Sequence, residues 1–443
     1  MAVFFRQVHL VGTEHVPQPG VPVVFAGNHP NSLIDPVLVV TTSGRIVHFA
    51  AKDKLFQPPL GWVLEALGAV PIARRMDYAE GPRRDNRGAL SAMADVLVAG
   101  QCIGIFPEGL SHDVAHLQRI RSGAARVALD AAGRRAGGVL VVPVGLVYMH
   151  RKRFRARVLV QYGEPIHVDE TWVDRAQADP REAAGALTQR LDDALHGLTV
   201  NADDWDTLRV LDGVRRLYQP PSIPLRERVE LARRFTSVYP AVRDEPAVRG
   251  LYDAVRRYID ELDRVGLSDR DLSRRAGPNK LLWRGVGGVV RLLVWLPLAL
   301  LGAPVHVPLA LLVGWAGLRF APRKDVVGTT KLLIGLLLVL GGYVLLPLAA
   351  FLWVGWQAGL FLLLGLPLSG LATLRVLERG ASVHKVWTSA VASLRLGRHL
   401  TALQERRGTL ERRVVQLVAR YKPEDMEALF PDRIASASGE VEG

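Results

Sequence analysis

Short apolar runs alternate with amphipathic stretches over the first 200 residues of the chain. The runs VPVVFAG, GRIVHFAA, CIGIFPEG, GGVLVVPVGLVY and ARVLVQYG have the length and the β-branched content of buried strands. Segments with helical spacing lie between them, such as NRGALSAMADVLVAG and SGAARVALDAAG. Strands that alternate with helices predict an α/β domain with a mostly parallel sheet over residues 1–200.

The pattern changes after residue 200. Residues 201–280 are polar and rich in arginine, with helical spacing in LRERVELARRFTSVY and AVRGLYDAVRRYIDELDRV. We expect an amphipathic helical insert here. It lies against the main domain or the bilayer in one interpretation, and it is a soluble helical connector in the other.

A third pattern, apolar and without charge, predicts that residues 281–375 are embedded in a membrane. No charged residue occurs in 292–318 or in 332–374, whereas a spanning helix needs about 20 apolar residues. The second run is long enough for two spans, over about 332–352 and 355–374. The stretch WVGWQAG separates these spans and places its tryptophans at the membrane interface.

The first apolar run contains three prolines, Pro297, Pro304 and Pro308, which would interrupt a straight helix. Basic residues flank this run on both sides. Because cytoplasmic flanks are enriched in Lys and Arg, a chain that reverses inside the membrane would keep both flanks on the cytoplasmic side. We therefore expect a re-entrant hairpin over about 292–318 that turns at GAPVHVP.

Charge and cysteine content narrow the class of protein. The 56 basic and 43 acidic residues give a formal charge of +13. Beside the apolar region, this excess favours contact with the lipid bilayer over nucleic acid, for which no zinc spacing or binding module occurs. The single cysteine indicates a reducing compartment, and the N-terminus lacks a signal-peptide pattern. These features predict a multi-pass membrane protein with its first domain on the cytoplasmic side and a basic tail over residues 376–443.

The stretch NHPNSLID places an acid six positions after a histidine, just past the predicted strand VPVVFAG. In a continuous helix, six positions would turn Asp35 roughly 120° away from His29, so only a turn at Pro30 can return the carboxylate to the ring. Asn31 or Ser32 is expected to cap the helix that follows. The pair could act as a general base and its orienting acid, although such a pair taken alone is more often accidental.

Three further stretches follow in order: GAVPIARR (68–75), GIFPEGLSH (104–112) and VVPVGLVY (141–148). Together with NHPNSLID they resemble the four sequence blocks of the PlsC-type glycerophospholipid acyltransferase superfamily, over roughly residues 20–170. The resemblance implies direct acyl transfer from acyl-CoA or acyl carrier protein to a glycerophosphate acceptor. That acceptor would be glycerol-3-phosphate, dihydroxyacetone phosphate or lysophosphatidate, and the reaction would need no cofactor and no metal.

The resemblance also implies roles for individual residues. His29 is expected to be the general base, Asp35 its partner, and Arg74 the arginine that binds the acceptor phosphate. Glu108 is expected to contact glycerol hydroxyls or Arg74. The expected site is completed by Phe106, Pro107 and Gly109 of the third block and by Pro143, which would line the acyl-donor side.

Two departures from the family pattern bear on the acceptor. Five residues separate His29 from Asp35 where the usual motif has four. This form resembles the fungal and bacterial branch that acts on glycerol-3-phosphate or dihydroxyacetone phosphate. The stretch LSH replaces the usual Thr-Arg-Ser after the third block, so one phosphate-binding arginine is missing. Arg119 or Arg121 either supplies its charge or is simply solvated.

Two other classes of function stay open. A non-catalytic lipid-binding protein would keep the fold without turnover, and the longer His-to-Asp spacing argues for it. A transporter would use the apolar region, but polar groups there are few beyond His306 and Gln357. Cys102 is interpreted as a core cysteine rather than a nucleophile. His112 and His116 have no third metal ligand at a recognisable spacing.

Overall fold

The computed structural model describes residues 4–58, 61–66, 68–72, 87–220, 223–265 and 278–421, with residues 267, 269, 272 and 430. The described chain forms two compact units. The first contains the chain up to Leu208, together with 224–236 and 322–329. The second contains 209–223, 237–321 and the chain from Thr330.

The first unit is built on a sheet of eight strands among the described residues. They are β1 (Gln7–Val11), β2 (Val23–Gly27), β3 (Val47–Lys52), β4 (Val70–Ile72), β5 (Cys102–Ile105), β6 (Val139–Tyr148), β7 (Arg157–Tyr162) and β8 (Ile166–Val168). Their order is β1-β7-β6-β2-β5-β3-β4, and β8 pairs with β6. Five of the pairings are parallel and only β6–β7 and β6–β8 are antiparallel. The predicted α/β class with a mostly parallel sheet is confirmed.

Helices cover both faces of this sheet. They are α1 (Ile34–Thr42), α2 (Gly61–Ala66), α3 (Arg87–Val98), α4 (Gly123–Arg134), α5 (Glu170–Ala178) and α6 (Pro180–Leu198). Successive strand residues point to opposite faces, so Val24 and Ala26 of β2 join the core packed by α3, α4 and α6. Phe25 faces the other way, where its ring lies 5.9 Å from that of Tyr162. Burial on both faces explains why the strands read as continuous apolar runs.

The remaining described helices are α7 (Trp205–Tyr218), α8 (Leu225–Val242), α9 (Pro246–Arg264), α10 (Pro278–Arg319), α11 (Val327–Trp353) and α12 (Trp356–Tyr421). The residues predicted as a helical insert, 201–280, supply α7, α8 and α9. Most of the tail predicted over 376–443 forms the C-terminal part of α12, which ends at Tyr421. The small polar residues at the end of the chain lie outside the described residues.

Three described helices are long and apolar enough to cross a membrane: Leu292–Arg319, Val327–Trp353 and Trp356–Gly380. They indicate membrane association. The last two are separated at Val354 and Gly355, inside the stretch predicted as a turn.

The hairpin turn predicted at GAPVHVP is absent, because the backbone of α10 is helical throughout. Prolines are tolerated in such apolar helices, where neighbouring helices and side chains satisfy the freed backbone groups. The placement of both basic flanks on the cytoplasmic side stays a prediction. His306, noted in the sequence as a rare polar group, bonds Tyr343 of α11 with 3.0 Å between Nε2 and the hydroxyl oxygen.

Candidate active site

Three neighbouring strands bring their following loops to one edge of the sheet. β2 lies between β5 and β6 and is parallel to both. The histidine motif follows β2, the residues Phe106–Gly109 follow β5, and Tyr148 is the last residue of β6. Because the carboxyl ends of parallel strands meet at the same edge, motifs far apart in the sequence come together there.

His29 and Asp35 form a buried hydrogen-bonded pair. Asp35 Oδ2 lies 2.8 Å from His29 Nδ1, and the two residues are 0% and 7% exposed, respectively. Ser32 has φ 48°, so the chain reverses between the histidine and helix α1. The five-residue spacing therefore brings the carboxylate to the ring by a turn, as the sequence argument required.

The helix cap differs from the prediction. Leu33, rather than Asn31 or Ser32, is the N-cap residue of α1, and its side chain makes no capping bond. The amide of Asn31 instead donates to Asp35 Oδ2 over 2.7 Å. Asp35 lies in the first turn of α1, where the positive end of the helix dipole stabilises a carboxylate. Asn31 thus holds the acid through its amide, and the carbonyls of Asn31 and Ser32 accept the amides of Ile34 and Asp35 at the helix start.

Tyr148 completes the set of donors around Asp35. Its hydroxyl bonds Asp35 Oδ1, the oxygen that His29 does not use. Burial, reinforced by the neighbouring Asp35 carboxylate, raises the pKa of Tyr148 well above its ordinary value. The phenol therefore stays protonated and donates a hydrogen bond to the Asp35 carboxylate. This residue lies within the quoted fourth block, VVPVGLVY, but was not predicted as a site residue.

The third block forms a tight turn beside the histidine ring. The amide of Gly109 donates to the carbonyl of Phe106 over 2.9 Å, and Gly109 has φ 77°, which favours glycine. The Phe106 ring stacks on the His29 ring with 4.1 Å between centroids and 7° between planes. One face of the imidazole is therefore covered. The carbonyl of Pro107 accepts a bond from the Arg121 amide over 2.8 Å.

Glu108 connects this turn to the histidine loop. Its side chain is buried, and Oε1 accepts a bond from the His29 amide over 2.6 Å. Oε2 accepts from the Gln118 amide over 2.8 Å and also bonds His112 Nε2. Protein groups thus occupy both carboxylate oxygens. The predicted contact of Glu108 with glycerol hydroxyls stays a prediction, and its contact with Arg74 lies outside the described residues.

The structure also locates the remaining candidates. Pro143 is buried within β6, opposite Ala26 of β2, and its carbonyl accepts a bond from Gly163. Arg119 and Arg121 are exposed. The Arg121 guanidinium lies against Gly109, since a Cβ added to that glycine would be 3.1 Å from its carbon. Arg121 is therefore beside the third block.

Two further residues that sequence reasoning missed hold the same loops. Asn28 bonds β6 twice, donating from Nδ2 to the Leu146 carbonyl over 3.1 Å and accepting from its amide over 2.7 Å. The Arg151 guanidinium donates to the carbonyls of His112 and Val114. An asparagine directly before the histidine was visible in the sequence. The partners of Arg151 were not, because they depend on how the loops meet.

No group of three His, Cys, Asp or Glu side chains within the described ranges is placed to hold a metal ion. Cys102 is buried in β5, and its burial raises the pKa of the thiol. A thiol with a raised pKa is a poor nucleophile. The His29 ring, with Nδ1 held by the buried Asp35 carboxylate, has a geometry suited to proton transfer.

Comparison with known families agrees with this geometry. A model described as Acyltransferase matches residues 7–147, and the model of the glycerol-3-phosphate acyltransferase 2 C-terminal domain matches residues 210–319. Residues 7–147 thus form an acyltransferase domain, in agreement with the prediction from the four sequence blocks. In the sequence, this domain is followed by the segment that matches the C-terminal-domain model.

The chain is also similar to curated proteins that are named acyltransferases. Glycerol-3-phosphate O-acyltransferase 2 of Saccharomyces cerevisiae is 41% identical over 44% of this chain and 26% of its own length. An uncharacterized acyltransferase of Schizosaccharomyces pombe is 26% identical over 75% of this chain and 64% of its own length. Glycerol-3-phosphate O-acyltransferase 1 of S. cerevisiae is 25% identical over 97% of this chain and 70% of its own length. The matches to the first two thus cover less than two thirds of those proteins.

Proposed function

We propose that this protein is a membrane-bound O-acyltransferase of phospholipid biosynthesis. It transfers a fatty acyl group from acyl-CoA or acyl carrier protein to glycerol-3-phosphate, with dihydroxyacetone phosphate or lysophosphatidate as alternative acceptors. The observation that carries the proposal is the His29–Asp35 pair, in which Nδ1 faces the carboxylate at 2.8 Å. Within the described part of the chain, no protein group bonds Nε2 of that ring.

The pair can perform the proton transfer of the reaction. With Nδ1–H donated to Asp35, the lone pair of Nε2 accepts the proton of an acceptor hydroxyl. The hydroxyl oxygen attacks the thioester carbonyl, the C–S bond breaks, and the thiolate leaves with the proton that the imidazolium held. Asp35 stabilises the imidazolium formed in between. No acyl-enzyme is needed, because the acceptor oxygen attacks the thioester directly.

The choice of acceptor is supported by the relatives and by positive charge near the turn. The two S. cerevisiae relatives are named glycerol-3-phosphate O-acyltransferases. Arg121, beside Gly109, has a guanidinium suited to a phosphate. Arg74 is a second candidate for the phosphate, from the family resemblance. We propose that a small phosphorylated acceptor is preferred to lysophosphatidate.

The test is acyl transfer by the purified full-length chain. The protein is incubated in lipid nanodiscs with radiolabelled acyl-CoA or acyl carrier protein and each acceptor in turn. Labelled lysophosphatidate formed from glycerol-3-phosphate supports the proposal. If lipid binds but no acceptor is acylated from either donor, the protein is instead a lipid-binding protein that keeps the fold.

A pair of histidine variants isolates the role of the base. His29→Ala is expected to abolish transfer. The control is His196→Ala, because His196 is an exposed residue of α6 whose ring bonds a carbonyl of its own helix. Full activity of His29→Ala toward every acceptor would exclude the mechanism.

We further propose a multi-pass arrangement with the acyltransferase domain on the cytoplasmic side. Helices Val327–Trp353 and Trp356–Gly380 supply the crossings in this arrangement. The basic residues of 319–331 before them, and Arg375 and Arg379 after them, then keep both outer ends on the cytoplasmic side. Protease treatment of sealed, oriented vesicles tests it. Digestion of the acyltransferase domain only from the cytoplasmic face is the expected result, and digestion only from the opposite face would exclude it.

A further inference from the structure

The segment Pro322–Thr329, called the linker below, connects the apolar helices α10 and α11 and includes the first three residues of α11. It nevertheless belongs to the compact unit that holds the candidate active site. Its polar side chains Asp325 and Thr329 are 7% and 6% exposed. A simple connector between membrane helices has no need of buried polar groups, whose desolvation is costly unless they are bonded. Their partners show what the linker does.

The first contact is made by Asp325 with the loop after the third block. Asp325 Oδ2 accepts a bond from the Ser111 hydroxyl over 2.6 Å and from the Arg323 guanidinium over 3.0 Å. The amide of His112, the residue after Ser111, donates to the His29 carbonyl over 3.3 Å. Asp325 is thus linked to the base through the backbone of this loop.

The second contact is made by Thr329 at the start of α1, the helix that carries Asp35. The Leu33 amide donates to Thr329 Oγ1 over 3.2 Å, and the Thr329 hydroxyl lies 3.4 Å from the Asn31 carbonyl. Free amides at a helix start need acceptors, and the N-cap residue of α1 supplies none from its own side chain. Thr329 supplies one from 296 positions away.

Close packing of the linker backbone against side chains of the turn makes this contact possible. A Cβ added to Gly328 would lie 2.7 Å from Asn31 Oδ1 and 3.0 Å from a methyl carbon of Ile34. Glycine at this position lets the linker reach the turn between the base and its acid.

We propose that the linker Pro322–Thr329 is a positioning element of the catalytic site, in which Thr329 and Asp325 fix the turn that joins His29 to Asp35. The acyltransferase domain defined by its sequence blocks is incomplete without it. The inference rests on the proposed function, because its main readout is acyl transfer. Its consequence is that the apolar region contributes to catalysis as well as to anchoring.

The test compares Thr329→Val with Thr329→Ser in the full-length chain. Valine keeps the volume and removes the acceptor, whereas serine keeps the hydroxyl. The matched control is Thr188→Val, because the Thr188 hydroxyl in α6 bonds the Ala184 carbonyl of its own helix, over 2.6 Å. We expect kcat to fall about tenfold in Thr329→Val with KM values within about twofold, since small misplacement of a base lowers the rate steeply. Thr329→Ser and Thr188→Val should stay near wild type.

A second readout does not depend on turnover. Hydrogen exchange of the Leu33 amide should be faster in Thr329→Val than in wild type and should recover in Thr329→Ser. Unchanged kcat and unchanged exchange would overturn the inference while the wild-type protein still transfers acyl groups. An inactive wild type would overturn the proposed function, and the exchange measurement would still decide whether Thr329 caps α1.

The first contact, between Asp325 and Ser111, is tested by a double-mutant cycle. If Asp325 acts through Ser111, then Asp325→Ala and Ser111→Ala lower kcat by similar factors, and the double variant is no worse than either alone. Independent, multiplicative losses would contradict this route.

Discussion

The hydroxyl of Tyr148 should tune the base, and Tyr148→Phe tests this with the loss of one oxygen atom. The hydroxyl bonds Asp35 Oδ1, while His29 uses Oδ2 of the same carboxylate. Burial, with the adjacent Asp35, raises the pKa of Tyr148 well above its ordinary value, so it donates throughout the working pH range. Without this donor, the negative charge of the Asp35 carboxylate is less neutralised, and it stabilises the protonated form of the His29 imidazole more strongly. The acid limb of the kcat/KM profile should therefore move to higher pH.

The size of the shift follows from the bond that is lost. A hydrogen bond to a charged group contributes about 1.5–3 kcal/mol. If a third of that reaches the imidazolium, the effect is about 0.5–1 kcal/mol, or roughly 0.4–0.7 of a pH unit on the limb. Activity on the alkaline plateau should change only a few-fold, since the base and its partner both remain.

The assay is the pH dependence of labelled acyl transfer, from about pH 5 to 9, on wild type and two tyrosine variants. Tyr162→Phe is the control, because its hydroxyl in β7 bonds Thr42, whose own hydroxyl bonds the Leu38 carbonyl. Other charged groups near the pair are Arg151, Glu108 and His112, and all are unchanged in both variants. An acid limb that stays in place, or moves to lower pH, in Tyr148→Phe would refute the reasoning.

Three further substitutions separate chemistry from structure. Asp35→Asn should lower kcat/KM by roughly 10³–10⁴-fold in the transfer assay, because an amide no longer selects the tautomer with a free Nε2; retention of a tenth of the activity would contradict this role. Gly109→Ala should lower the free energy of unfolding by about 1–2 kcal/mol, because alanine is strained at the φ of 77° that Gly109 adopts. An unchanged denaturation midpoint would argue against this strain. Cys102→Ala should keep kcat in the same assay, and loss of turnover in a folded variant would revive the nucleophile hypothesis.

The sequence predicted the sheet and its active edge because both depend on local patterns. Each of the four blocks includes or follows a short apolar run, and parallel pairing is enough to bring the ends of such runs together. The return of Asp35 to His29 was also foreseen as a requirement, since Pro30 excluded a helix through the turn. The left-handed conformation that accomplishes it falls on Ser32, which has no sequence signal for it.

The groups that hold the pair could not be predicted because their contacts are tertiary. Tyr148 is 113 positions from Asp35, and Thr329 is 296 positions from Leu33. Each was visible only as an ordinary residue of a strand or of a helix start. The cap assigned to Asn31 or Ser32 failed for the same reason, because local capping rules do not account for an acceptor supplied by a distant segment.

The role of the linker can also be tested at Gly328. There the substitution by alanine favours the helix locally but is expected to disturb the active site. Gly328 lies in the first turn of α11, where alanine is the better helix former by about 0.5–1 kcal/mol. Local propensity alone would therefore make Gly328→Ala neutral or stabilising. The added Cβ would meet Asn31 Oδ1 at 2.7 Å, a contact that must displace the linker or the side chain of Asn31, the residue whose amide bonds Asp35.

We expect Gly328→Ala to lower kcat several-fold while leaving KM and the yield of membrane-bound protein nearly unchanged. Gly341→Ala is the matched control, since Gly341 is in the same helix and a Cβ there would meet nothing within 4 Å. Both variants replace glycine with a better helix former in the same helix, so a loss of rate confined to Gly328→Ala points to the contact with the turn. Equal rates in the two variants would mean that the active site does not depend on how closely the linker approaches it.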